Sequence, residues 1–252
     1  MKIAVAFKVV HDDQDINVKA DRALDYSRAG RVVSTYDLNA IEAAAQLAAA
    51  SEGSTVTALT VGDAGIDNSK LKKNVLARGV DDLRMVADDA CAGLDAHATA
   101  LVLGDMVEEL GGFDVIVCGD GSADDFAQQV DVQLAARLGV PVVTSATNVQ
   151  AKGGVLEVER TLEDVVETVE VECPCVVSVT PDMVQPRIPG MKDVLAAGKK
   201  PMNVTTAATA HAATLETVSC LAPEQAARKQ EIMDAAEDGA IERFAQAIKA
   251  AL

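Results

Sequence analysis

The chain has 252 residues and a formal net charge of −17, which disfavours nonspecific binding to nucleic acid or to an anionic membrane surface. Its residues are 49% hydrophobic but only 2% aromatic, with no tryptophan, so a core has to be assembled from Val, Ile, Leu and Ala. No run reaches the roughly 18 apolar residues that a membrane span needs.

Residues 3–9 alternate as a strand should, and Lys8 interrupts the run too early for a signal peptide. Residues 11–34 are polar and irregular, a loop or small hairpin. Asp37 is placed to cap an alanine-rich helix over 38–50. A second strand covers 54–61 and ends at Gly62-Asp63. A helix over 68–77 is stopped by Gly79, a third strand covers 83–86, and a helix over 95–110 ends at Gly111-Gly112.

The stretch 113–143 carries the most information. Val115, Ile116 and Val117 form a short apolar run of buried parallel-strand type. The strand ends at Cys118-Gly119-Asp120, and Gly119 and Gly121 free the backbone to turn. Ser122, Asp124 and Asp125 read as helix-start residues, which predicts a helix over 125–138 closed by Gly139. Another strand begins at 141–145. In open α/β sheets ligands sit outside the carboxyl ends of strands, and a small-residue loop entering a helix can hold phosphate on backbone N–H groups.

After residue 147 the pattern changes. Residues 147–150, 155–162 and 165–172 alternate with period two, an antiparallel insert, and 175–180 reads as a further buried strand. Residues 205–215 lack periodicity and read as a linker. Helices are predicted over 223–233 and 240–252, the second with Ile241, Phe244, Ile248 and Leu252 on one face. The fold class is therefore α/β: a parallel sheet with helices on both faces, an antiparallel hairpin insert and a C-terminal helical arm. The division expected is a domain over 1–204, then a linker and arm over 205–252.

No catalytic set and no metal site stand out. His11, His97 and His211 occur singly. Cys91, Cys118, Cys173, Cys175 and Cys220 are odd in number and lack framework spacing, which argues for a reducing, cytoplasmic setting.

Four segments, in order along the chain, carry a family resemblance. They are Thr35-Tyr36-Asp37-Leu38-Asn39-Ala40-Ile41-Glu42-Ala43, Leu76-Ala77-Arg78-Gly79-Val80-Asp81, the loop CGDGSADDFAQQV from Cys118 to Val130, and Pro186-Arg187-Ile188-Pro189-Gly190-Met191-Lys192-Asp193-Val194-Leu195 followed by Lys199-Lys200-Pro201. Together they resemble electron transfer flavoprotein β subunits, most closely the Fix-type branch associated with carnitine metabolism or nitrogen fixation. The resemblance implies an adenine nucleotide alpha hydrolase-like core. It assigns nucleotide contacts to Ala6, Phe7, Lys8, Asp37, Val61, Gly62, Cys118, Gly119, Asp120, Gly121, Ser122, Asp124, Ala127, Gln128, Gln129 and Val130. Gln129-Val130 is similar to electron-bifurcating members, which implies FAD in this subunit, with NADH as donor and ferredoxin or flavodoxin as an acceptor. Single-flavin members hold AMP there, with FAD in the α subunit. Phe126 and Asp131 depart from the family, where a small residue and a glycine are common.

The resemblance further implies an α-subunit partner, bound in part by the C-terminal arm. It also implies docking of an acyl-CoA dehydrogenase-type flavoenzyme at Pro189, Met191 and Lys192. The other reading weighed is an adenine-nucleotide-binding regulatory module of the universal-stress type, which shares the sheet but needs no flavin.

Overall fold

The computed structural model describes residues 1–225 and 230–251. The first stretch holds β1 (Lys2–Ala6), β2 (Val9–His11), β3 (Asn17–Val18), β4 (Leu24–Asp25), β5 (Arg31–Val33), α1 (Thr35–Ala50), β6 (Thr55–Gly62), α2 (Ser69–Leu76), β7 (Asp82–Ala87) and α3 (Ala96–Glu109). Then follow β8 (Val115–Gly119), α4 (Val130–Leu138), β9 (Val142–Lys152), β10 (Val155–Thr161), β11 (Val166–Glu172), β12 (Cys175–Val179), α5 (Met191–Ala197), β13 (Met202–Thr205) and α6 (Ala240–Ala251).

Nine strands form one sheet in the order β11-β10-β9-β12-β8-β1-β6-β7-β13. From β9 to β13 every neighbouring pair is parallel, and β10 and β11 extend the sheet antiparallel. Period-two alternation sorts the side chains of the central strands into two layers. Ile3, Val5, Val115 and Val117 face the layer of α1, α2 and α5, while Ala4, Ala6, Ile116 and Cys118 face α3 and α4. Helix α1 lies along the sheet on Ala40, Ala43, Ala44 and Leu47, and small alanine side chains let it sit close. Leu134 of α4 is fully buried, and burial of one such side chain stabilises the fold by about 1.5–3 kcal/mol.

The structure corrects several expected boundaries. The strand expected over 3–9 breaks after Ala6. β2 leaves the main sheet and pairs antiparallel with β5. Asp37 is not the cap of α1: Ser34 holds that position, and Asp37 lies inside the first turn. The helix expected from 125 starts only at Val130, so Ser122, Asp124 and Asp125 belong to a loop. Residues 202–205, which reach the expected linker only at Thr205, form an unexpected edge strand, β13, paired in parallel with β7.

The chain divides into two compact units. One comprises Met1–Asn17 and Asp25–Ser219 and contains the main sheet with α1 to α5. The other comprises Val18–Leu24 and the described residues from Cys220 onward. Within it Ala23 and Leu221 form an antiparallel bridge, and Arg22 lies 3.2 Å from Glu224. Residues 223–225 and 230–233 are not helical, unlike the expectation for 223–233; residues 226–229 of that segment, and Leu252, lie outside the described residues. α6 exposes Ile241, Phe244 and Ile248. No described helix is long and apolar enough to cross a membrane.

Candidate functional site: a cleft at the carboxyl edge of the sheet

From β1 the chain moves to β6 and β7 on one side, then crosses to β8, on the other side of β1. That reversal leaves a crevice outside the strand ends. There Ala6-Phe7-Lys8, Val61-Gly62-Asp63 and Cys118-Gly119-Asp120 line a cleft of about 380 Å³. Asp37, Gly121, Ser122, Asp124, Ala127, Gln128, Gln129 and Val130 line the same cleft, so every residue to which the sequence reading gave a nucleotide contact comes to one place.

Asp37 ties two of the three strand ends together. The Lys8 backbone N–H donates to its Oδ2 at 2.7 Å, and the Gly119 N–H and the Ser34 hydroxyl also point to this carboxylate. Burial pushes its pKa up to about 7, against the pull of those donors. Gly119 is glycine for a steric reason. A Cβ there would lie 2.7 Å from Asp37 Oδ1 and 3.0 Å from the Tyr36 backbone carbon.

The loop after Gly119 folds around Lys8. The Lys8 ammonium meets Asp124 and Asp125, each at 2.8 Å. Burial works against its charge, but the two carboxylates outweigh that and raise its pKa. Asp124 feels the converse: burial opposes its charge, yet Lys8 and the Ser122 hydroxyl hold its pKa below the ordinary value. Phe126 and Gln128 have φ of 47° and 54°, left-handed values that cost a non-glycine residue on the order of 1 kcal/mol or more. The Phe126 ring lies 5.2 Å from that of Tyr36, and a Cβ on Gly121 would come within 2.3 Å of it. The large Phe126 side chain is thus accommodated by a glycine five positions earlier. Asp131 is buried in the first turn of α4.

Two features of the cleft suit a hydrogen-bonding ligand. Gln129 precedes α4 without a side-chain cap bond, so the first-turn N–H groups of α4 meet no capping side chain at the cleft wall. Asp120 has a buried Oδ1 with no partner among the described residues, and burial raises its pKa. An acceptor left so calls for a donor from elsewhere. Burial also raises the Cys118 thiol well above its ordinary range, which removes it as a nucleophile.

The opposite wall was missed in the sequence. Residues 91–96 and Thr99 close it, and Asp95 caps α3 through Ala98 N–H at 2.8 Å. Donation from Ala98 and from Thr214 and Leu215 holds Asp95 well below the usual carboxylate range. Arg31 and Asp63 pair at 2.8 Å beside Gly65. The Asp95 cap was legible as a helix start, but nothing local marks it as cleft wall. Arg31 stands in a segment read as irregular, and only the β2–β5 pairing carries it to the sheet edge.

The sequence model of the electron transfer flavoprotein domain matches residues 23–210. The chain belongs to the electron transfer flavoprotein domain family. Its match covers the β6, β8 and α4 walls of the cleft and runs past β13, while Ala6, Phe7 and Lys8 of the cleft lie ahead of it.

In this flavoprotein domain, Pro189, Met191 and Lys192 do not join the cleft. They lie at the start of α5, with Gly190 as its N-cap. Met191 opens the helix and is 78% exposed; Ile188 and Leu195 are exposed beside it. The segment before α5 is clamped onto α1. Asn39 donates to the carbonyls of Pro181 and Val184 at 3.0 and 2.6 Å. The Arg187 guanidinium forks onto Glu42, with Nε to Oε2 at 2.5 Å and Nη2 to Oε1 at 3.0 Å. Gly79 lies under this fork at φ 93°, where a Cβ would be 2.8 Å from the Ala45 Cβ and 3.1 Å from Arg187 Nη1. Three of the four family segments, through Glu42, Gly79 and Arg187, thus meet at one contact. No group of three or more metal-ligating side chains occurs among the described residues.

Proposed function

We propose that this chain is the β subunit of a heterodimeric electron transfer flavoprotein of the Fix type. It holds FAD in the cleft and shuttles electrons between an acyl-CoA dehydrogenase-type partner and other carriers. The observation that carries this reading is the convergence of the assigned residues on one cleft, in a chain whose family match runs from residue 23 to residue 210.

The residues suit such a cofactor. The α4 first turn, with Gln129 and Val130, offers backbone donors to a phosphate. The unpartnered Asp120 oxygen offers an acceptor to a ribose hydroxyl or an adenine amine. Gly119 and Gly121 let backbone approach where a Cβ would collide. When bound, a flavin supplies the electron-accepting ring system; the protein binds it, orients it and tunes it. Lys8 keeps the loop folded through Asp124 and Asp125, and Asp37 keeps the β1 and β8 ends in register.

The Gln129-Val130 pair favours FAD over AMP in this subunit. That choice carries NADH as donor and ferredoxin or flavodoxin as an acceptor. The exposed Ile188, Met191 and Leu195 support docking of a flavoenzyme at the start of α5. The apolar stripe of α6 supports a role for residues 205–252 in α-subunit association.

The test is to co-express the chain with its α-subunit partner and to identify the nucleotides released from the purified complex. Two FAD per heterodimer are expected, and NADH oxidation by that complex should follow. One FAD and one AMP would replace the bifurcating carrier by a simple shuttle. A complex that retains no adenine nucleotide would overturn the reading.

A further inference from the structure

We infer that Arg31 makes the cleft selective for a nucleoside diphosphate group over a monophosphate, a role that rests on the nucleotide reading above. The argument begins with charge. Seven aspartates and only two basic residues, Lys8 and Arg31, line the cleft. A phosphate entering such surroundings is repelled unless free N–H groups of a helix start or a cation with spare donors meet it.

Lys8 has little to spare. Its ammonium is committed to Asp124 and Asp125 at 2.8 Å each, and those contacts hold the loop together. Arg31 is different. Its Nη2 donates to Asp63 Oδ2 at 2.8 Å, while Nε and Nη1 make no hydrogen bond among the described residues. Asp63 is itself fixed, because its Oδ1 accepts the Gly65 N–H at 2.8 Å. The guanidinium therefore lies against the turn after β6, held at one corner with donors free on the rest of the fork. A planar fork with unused N–H groups matches the oxygens of a phosphate, and it need not release Asp63 to engage one.

Position supplies the second half. The α4 first turn serves one phosphate from the β8 side of the cleft through backbone N–H groups, with no cationic side chain of its own there and Asp131 buried in that turn. Arg31 stands at the β6 side, with β1 between the two. A monophosphate is served by the first. A diphosphate brings a second anionic group, and Arg31 is the cation left to receive it.

The experiment uses the α/β complex freed of nucleotide, titrated calorimetrically with AMP and with ADP. In Arg31→Gln, ADP should bind about tenfold or more weakly, as loss of a charged hydrogen bond implies, while AMP stays within about twofold. Asp63→Asn separates this from a purely structural ion pair. It keeps the guanidinium and removes a repelling charge, so ADP should bind at least as tightly as in the parent. Equal loss of AMP and ADP in both variants would mean that the pair only braces the fold, and would overturn the inference. So would unchanged ADP binding in Arg31→Gln, with the nucleotide reading left standing. A parent complex that binds neither nucleotide would sink that reading and this inference together.

Discussion

The loop after β8 and the loop after β12 are both anchored on α1, yet by opposite means. Asp37 anchors the first with a buried carboxyl that accepts N–H groups from Lys8 and Gly119. Asn39 and Glu42, less than two turns further along, anchor the second; Asn39 takes carbonyls and Glu42 takes the Arg187 fork. The first anchor fixes strand ends and leaves the loop itself with left-handed residues, an unpartnered acid and uncapped helix donors. The second clamps its loop and presents apolar side chains outward. A surface that receives a polar ligand is left with unmet hydrogen bonds, whereas one that presents apolar contacts outward has its polar groups spent internally.

That contrast can be broken most forcefully at Asp37. Asp37→Ala leaves two backbone N–H groups without their acceptor and should cost on the order of 2–4 kcal/mol in urea unfolding. A loss under about 1 kcal/mol would show that the strand ends do not depend on it. Asp37→Asn tests the same anchor by pH. Between the ordinary 3.8 and about 7, the folded chain keeps a proton that the unfolded chain has lost. This contribution to stability is present below the lower value and is lost as pH rises through the upper one. The parent should therefore weaken across that window relative to Asp37→Asn; parallel pH profiles would refute the assignment.

The second anchor should give a smaller effect. Glu42→Gln removes the charge opposite Arg187, a side chain that is 42% exposed, and should cost about 1–2 kcal/mol. Limited proteolysis should then cut within residues 181–190; continued protection there would mean that Asn39 alone holds the loop. Gly121→Ala should cost about 1 kcal/mol, because the side chain it displaces, Phe126, is half-exposed and can swing away. Its readout is nucleotide content, which should fall; full retention would free the cleft from any dependence on the Phe126–Tyr36 contact. Met191→Ala should change stability by less than about 0.5 kcal/mol, since the side chain is exposed. Electron transfer to the proposed dehydrogenase partner should slow nonetheless, and an unaltered rate would remove Met191 from docking.

Much of this architecture was legible. The apolar runs at 55–62, 115–119 and 175–179 are strands because each is short, rich in β-branched residues and bounded by turn residues, whereas the run from residue 3 carries no such stop and was read three residues too long. The alternation at 147–150, 155–162 and 165–172 showed its period of two, although the structure joins the first of these to the strand read at 141–145 as one strand, β9. The miss at residues 125–129 has a definite cause. Asp124 and Asp125 look like helix-start residues, but a lysine 116 positions away in sequence takes their carboxylates, and the helix waits until Val130. β13 escaped notice because four residues are too short a run to establish a period, and it is the edge beside β7 that recruits them.

By itself the sequence determined the alternating order of strands and helices, the cluster of small and acidic residues at the end of β8, and the family to which the chain belongs. Those are local properties: periodicity, turn chemistry and motif need only neighbours along the chain. The tertiary structure alone decided that Asp37 joins two strand ends, that Arg187 and Gly79 share one contact, and that Arg31 and Asp95 stand at the cleft. Each of these depends on groups brought together across the sheet, and pairing across tens of residues leaves no local signal in either partner.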